Sequence, residues 1–363
     1  VRRRILVGLA LATFALECGG RTGLGAGERT SAGTCSDVPS APTSIATVGE
    51  VGQYPRVGSM TVVGPTLYYS VYDGSNSPLA LRRVSLAGGT PEDVVAGKGG
   101  CDTSSPLGYG PLVTDGRRVF TTDIASVGCS GYARHVTVYD DATDVLSSLE
   151  NPAGAGVDRA VMALRALPGG GVAWIVRSLG PEPGVLAAWD GSGEPRVVAP
   201  IPALGMGLLV VGADAFVHHV ANGQAALDRV ALATGATTTV ATFPAKDFRL
   251  VGANDDAIFY TTDGKTLTRR VVATGTTNAV DAEVTGAAWI DGDDVYFVRQ
   301  PPPNDFTVHL RRASARGGPS APVHDDPARN QVQAITGDGC RLVFAVGPDF
   351  TNRKPVAIVR QRR

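Results

Sequence analysis

The sequence predicts an all-β protein: a seven-bladed β-propeller over residues 43–363, closed by a strand from its N-terminal side, with six or eight blades as the alternatives. Three observations carry this. A unit recurs in which an apolar run, an Asp- or Gly-containing turn and a β-branched or aromatic run follow one another, as in Leu112 to Phe120, Leu250 to Tyr260 and Ala288 to Phe297. One unit of roughly 40 residues cannot bury both faces of its own small sheet, so repetition implies sheets stacked face to face around an axis. Gly at 46 and Pro at 24, with only 18% charged residues, suit many short strands and tight turns. No long amphipathic helical stretch follows the N-terminal region.

Seven innermost strands are expected near residues 57–62, 111–114, 161–166, 207–211, 248–252, 285–290 and 332–336. Each leads into a turn such as Asp115-Gly116, Gly169-Gly170, Asp291-Gly292 or Asp338-Gly339, built from residues that tolerate tight-hairpin geometry. Second strands follow at Leu67 to Tyr69, Val119-Phe120, Val172 to Trp174, Ala215 to Val217, Ile258 to Tyr260, Val295 to Phe297 and Leu342 to Phe344. Third strands alternate apolar and polar residues at Leu81 to Leu86, Leu267 to Val271 and Leu310 to Ala313, as a half-exposed strand should. Fourth strands read Asp93 to Ala96, Arg196 to Ala199 and Thr239 to Ala241. The last unit reaches only a third strand, Ala357 to Val359, and Ser44 to Val48 is expected to supply its fourth, which removes an exposed sheet edge.

The runs Phe120-Thr121-Thr122-Asp123 and Tyr260-Thr261-Thr262-Asp263, with Leu81-Arg82-Arg83-Val84 further along a unit, resemble the repeats of YWTD-type and TolB-type β-propeller proteins. The resemblance covers about residues 43–363; it implies the propeller fold and a binding surface.

Residues 1–17 read as a signal peptide. Arg2-Arg3-Arg4 is a basic leader, and Ile5 to Leu16 is an apolar run of 12 residues, too short to span a bilayer. Ala15-Leu16-Glu17-Cys18-Gly19-Gly20 resembles the lipobox of bacterial lipoproteins, which implies lipidation of Cys18; the pattern departs from it at Ala15 and Glu17, and an ordinary secretory signal is the alternative. Residues 18–42, rich in Gly, Ser, Thr and Pro, cannot offset their ordering entropy by burial and read as a tether. The expected location is the cell envelope, lipid-anchored and facing the periplasm or the surface, where disulfides are permitted.

The formal net charge is -1, and without residues 1–17 there remain 30 basic and 33 acidic side chains, a balance that disfavours nucleic acid as a partner. Beyond Cys18 stand Cys35, Cys101, Cys129 and Cys340. In a propeller, loops from one outer strand to the next inner strand share a face with loops from second to third strands. Cys101 falls in the first kind and Cys129 in the second, whereas Cys340 falls in an opposite-face hairpin, on the side from which the closing strand follows Cys35. The expected pairs are therefore Cys101–Cys129 and Cys35–Cys340, each adding roughly 3 kcal/mol. Zinc is the competing reading, although no Cys-x-x-Cys or His cluster accompanies these residues.

No catalytic, metal or cofactor residue is expected. His218 and His219 are adjacent, so strand alternation sends them to opposite faces, and His135, His309 and His324 have no partners at a recognisable spacing. His-Glu-x-x-His, Gly-x-Ser-x-Gly and Walker patterns are absent. The pairs Asp140-Asp141, Asp255-Asp256, Asp293-Asp294 and Asp325-Asp326 suit hairpin turns better than acid/base or calcium chemistry. Second-to-third-strand loops are often long, and Tyr72, Tyr132, Arg177, Arg299 and Phe306 lie on them, mixing aromatic and guanidinium groups suited to recognition. The expectation is a non-enzymatic envelope-tethered module that binds a protein, peptide or glycan. A propeller lyase or hydrolase acting at the channel mouth is the alternative, and a purely structural envelope component a third possibility.

Overall fold

The structure, a computed structural model, describes residues 41–362 except 50–54, 74–79, 96–110, 123–134, 153–158, 179–181, 203–204, 222, 246–247, 300–307, 327–329 and 349–354. Seven four-stranded antiparallel sheets form the blades of a β-propeller, so the repeat count is seven rather than six or eight. The first blade is β2 (Pro55–Val63), β3 (Thr66–Asp73), β4 (Ala80–Ser85) and β5 (Glu92–Val95). The second is β6 (Val113–Thr114), β7 (Arg118–Thr122), β8 (Val136–Asp140) and β9 (Val145–Leu149). The third comprises β10 (Arg159–Ala166), β11 (Val172–Ser178), β12 (Gly184–Trp189) and β13 (Arg196–Ile201), and the fourth β14 (Gly205–Val211), β15 (Asp214–Ala221), β16 (Gln224–Ala231) and β17 (Thr237–Pro244). Blade five is β18 (Arg249–Ala253), β19 (Ala257–Thr261), β20 (Leu267–Val271) and β21 (Thr277–Asp281); blade six is β22 (Val284–Asp291), β23 (Asp294–Arg299), β24 (Val308–Ser314) and β25 (Ala321–Asp326). The last joins β26 (Asn330–Gly337), β27 (Arg341–Pro348) and β28 (Val356–Arg362) to β1 (Thr43–Val48).

The first strands touch one another in turn around the axis, and every expected inner strand falls on one of them. Ring closure follows the expected route. β1 runs antiparallel to β28 from Thr43 opposite Arg360 to Val48 opposite Val356. Ile45, Ala46 and Val48 are buried among Val343 and Ile358 of the last blade and Leu67 and Val84 of the first. Gln333 and Arg360 of the last blade also bond the first, where Gln333 Oε1 accepts the Val57 N–H at 2.8 Å and Arg360 donates to the Leu86 carbonyl.

Apolar side chains alternate to the two faces of each sheet and fill the wedges between blades. Phe120, Leu164 and Trp174 close the wedge between the second and third blades, and Phe259, Val295 and Phe297 the one between the fifth and sixth. The outer end of most wedges is sealed by a repeated bulge. Where the third strands place the fully buried Leu81, Leu186, Leu227, Leu267 and Leu310, the fourth strand skips a residue, and the skipped residues are Val94, Val198, Val240, Val280 and Val323. In the closing blade the skipped residue is Ile45. A bulge adds twist and re-aims a side chain, and here it turns a β-branched group into each wedge. β9 has no bulge, and its Val145 and Leu146 stand 54% and 46% exposed.

The hairpin end is fastened by short polar ties. Asp115 Oδ1 accepts the Arg117 and Arg118 backbone N–H groups, while Oδ2 accepts the Gly171 N–H of the next blade at 3.1 Å and the Arg118 guanidinium. Burial works to raise the Asp115 carboxyl, but the N–H groups of Arg118 and Gly171 and the Arg118 side chain outweigh it and hold the group below its ordinary value. Gly235, at φ +73°, sits so close to the Val198 carbonyl of the preceding blade that a Cβ would lie 2.2 Å from its oxygen, so only glycine fits.

Candidate recognition face

Because neighbouring strands are antiparallel, the starts of all first strands and the ends of all second strands share one end of the ring. First-to-second-strand connections at the opposite end are uniformly short, from 64–65 to 167–171. Second-to-third-strand connections at the shared end include 123–135 and 300–307, the length asymmetry expected from the sequence.

Of the five residues expected on this face, the structure places two side chains. Arg177, the last residue but one of β11, is half-buried, with its Nε enclosed and without a hydrogen-bond partner among the described residues. Arg299 ends β23 and faces Glu283 at 3.5 Å, with 40% and 52% of the two side chains exposed, a pairing that screening leaves weak. They share an end of the ring but belong to the third and sixth blades. Tyr72 lies on β3 opposite Arg56, its side chain outside the described residues, as are Tyr132 and Phe306 entirely. Cys18, Cys35, Cys101 and Cys129 also lie outside them. Cys340 sits in the hairpin between β26 and β27, its N–H donating to Asp338 Oδ1 at 2.9 Å.

His218 and His219 do part to opposite faces. His218 is buried on the side of the fifth blade, its ring 4.5 Å from that of Phe248, within a group that includes Phe243 and Tyr260. Burial, reinforced by the neighbouring His219, pulls the His218 imidazole down to about 4. On the other face His219 Nε2 lies 2.9 Å from Asp228 Oδ2, and Thr239 Oγ1 donates to Asp228 Oδ1 at 2.6 Å, a polar ladder across β15, β16 and β17. Asp228, buried like its strand neighbours Leu227 and Val230, is not singled out by the sequence reading; the signal for it is an acidic residue inside an otherwise apolar strand, which calls for a partner.

The aspartate pairs act in turns and cross-strand bonds. Asp140 Oδ1 accepts the Ala142 and Thr143 N–H groups, and Tyr68 donates its hydroxyl to Asp141. Asp256 pairs with Arg269 at 2.7 Å, Asp294 with Arg312 at 2.8 Å, and Asp325 with His309 at 2.8 Å. Asp141 thus ties the second blade to the first, while the other carboxylates are held by the blades that carry them.

No family model matches the chain, and no curated relative matches it either. Similarity is found among solved structures. Puromycin hydrolase superposes with a TM-score of 0.58 at 15% identity over 88% of this chain, which spans 56% of that enzyme. Oligogalacturonate lyase in complex with manganese gives 0.55 at 12% identity, covering 90% of this chain and 98% of that one. The WD40 β-propeller domain of Doa1 gives 0.52 at 13% identity, covering 88% and 97%. At such identities the likeness concerns architecture alone, and what this chain shares with all three is the β-propeller fold.

Proposed function

We propose that this chain is an exported, membrane-tethered propeller that acts as a non-enzymatic binding module, holding a protein, peptide or glycan against the loop end of its ring. The observation that supports it is a division of roles among polar residues. Asp256, Asp294, Asp325 and His219 are engaged within their own blades, whereas the enclosed Nε of Arg177 at the loop end has no hydrogen-bond partner among the described residues. An arginine set among long connections is a common recognition anchor. The YWTD-type and TolB-type resemblance agrees with this reading. Cys18 would carry the lipid, residues 18–42 would serve as the tether, and Cys35–Cys340 and Cys101–Cys129 would brace the closure and a long connection.

The test is crosslinking and affinity capture in the native envelope, comparing the full chain with a variant shortened in 123–134 and 300–307 and with R177Q/R299Q. A partner held by the full chain and lost from both variants supports the reading. Equal retention by all three, or turnover of a peptide or glycan panel by the purified chain, sinks it.

A further inference from the structure

The outermost strand of a blade leaves one row of backbone N–H and C=O groups unpaired, and a bulge, a charge or a proline on it ordinarily guards against pairing with another chain. Six of the seven outer strands are guarded in this way. β1, β5, β13, β17, β21 and β25 each carry a bulge against the strand inside them. Five of these add charge or proline: Glu92 and Asp93 on β5, Arg196 and Pro200 on β13, Pro244 on β17, Asp281 on β21, and Pro322 and Asp325 on β25.

β9 has none of the three. It reads Val145-Leu146-Ser147-Ser148-Leu149 and runs in unbroken register with β8, from Val145 opposite Asp140 to Leu149 opposite Val136. Among the described residues no strand pairs with its outer edge. Its first four residues are exposed, and Leu149 alone packs into the wedge. Among the described residues three large apolar side chains are exposed, Val145, Leu146 and Val197, and two of them stand on this strand. Successive residues point to opposite faces of the sheet, so a strand laid along the edge would supply cross-strand neighbours to both.

Charge indicates what such a strand would carry. Residues 136–157 hold four acidic side chains, Asp140, Asp141, Asp144 and Glu150, and no basic one. Asp144 precedes β9 at the hairpin end, where Arg117 pairs with Asp140 and Arg83 is shared between Asp144 and Glu92, so that two cations face four carboxylates once Asp141 is included. Glu150, exposed, follows β9 at the loop end. Centred antiparallel pairing of two copies of this chain would set Asp144 opposite Glu150, like against like, which disfavours a second copy as the occupant.

We propose that β9 accepts a fifth strand from a partner protein, an extended segment with apolar, β-branched residues at its centre and Lys or Arg at both ends. Main-chain hydrogen bonds would hold it, the exposed Val145 and Leu146 would select its centre, and the flanking carboxylates its ends. This surface lies on the outer rim of the second blade and does not rest on the reading of the loop end.

The experiment titrates the full chain, at low salt, into labelled synthetic peptides of about eight residues, long enough to span β9. One alternates threonine and valine between terminal lysines, another replaces the lysines by glutamates, and a third is the lysine peptide with its central backbone nitrogens methylated. The lysine peptide should saturate, the glutamate peptide should bind at least about tenfold more weakly, and the methylated one should not bind. V145K/S147K, which places a guarding charge on exposed positions of the strand, should weaken the lysine peptide at least about tenfold. T238K on β17 and R177Q/R299Q at the loop end should bind it as wild type does. Should V145K/S147K not fold, E150Q decides, with a loss of about threefold expected. Failure of the lysine peptide to saturate overturns the proposal, as does equal binding of the lysine and glutamate peptides, or unchanged binding by the variant that decides. Loss in R177Q/R299Q moves the contact to the loop end and overturns it too. A wild-type dimer in sedimentation that V145K/S147K dissociates would make a second copy the occupant, which equally overturns it.

Discussion

At the scale of single residues, His218 is the clearest test of burial energetics. In the unfolded chain its imidazole takes up a proton near pH 6.5, while in the fold it resists until about 4, so the unfolded state holds more protons between these values. Stability is therefore full above pH 6.5 and falls as the pH drops through that window, approaching a loss of roughly 3 kcal/mol from this group by its lower end. His218→Phe should remove that part of the acid sensitivity, which urea midpoints of both proteins at pH 7 and 4.5 will show. An equal acid-induced drop in the two proteins would assign the sensitivity elsewhere. Asp115→Ala should cost about 3 kcal/mol at neutral pH, because it strands three backbone N–H groups and a guanidinium at once. Denaturant titration with an unchanged slope and a lowered midpoint is the expected outcome.

At the scale of elements, the fourth strands show what the sequence concealed. Their positions were legible from short β-branched runs such as Asp93 to Ala96 and Arg196 to Ala199, and the inner strands from the turn that follows each of them. The bulges were not, because Val94-Val95 and Val197-Val198 look the same whether or not the register slips, and register depends on the strand opposite. The exposed Val145 and Leu146 of β9 show the consequence of its absence. Val280→Ala, at 4% exposure, should therefore cost about 2 kcal/mol through lost methyl burial and the cavity left behind, whereas Val145→Ala should be nearly neutral. Thermal unfolding of the two variants side by side decides this; equal losses would mean the bulge seals nothing. The candidate recognition residues were legible only as positions on long connections. What they face depends on how the ring brings blades together, which no linear spacing encodes.

At the scale of the whole molecule, the ring is closed by two partners that are more than 300 residues apart, β1 and β28. Deleting residues 43–48 would open the last blade's edge and uncover Val343, Val356 and Ile358. Every wedge depends on its neighbours, so the loss should be global, a single transition lowered by 10 °C or more rather than local fraying. Circular dichroism melting measures it, and an unchanged midpoint would mean the ring holds without its clasp. The placement of β1 has one more consequence. As an outermost strand running from the hairpin end toward the loop end, it begins at Thr43 on the outer rim, at the end where the tight turns lie. Any attachment upstream of Thr43 would thus suspend the disc by the edge of its underside, leaving the axial opening unobstructed and turned outward from the anchoring surface.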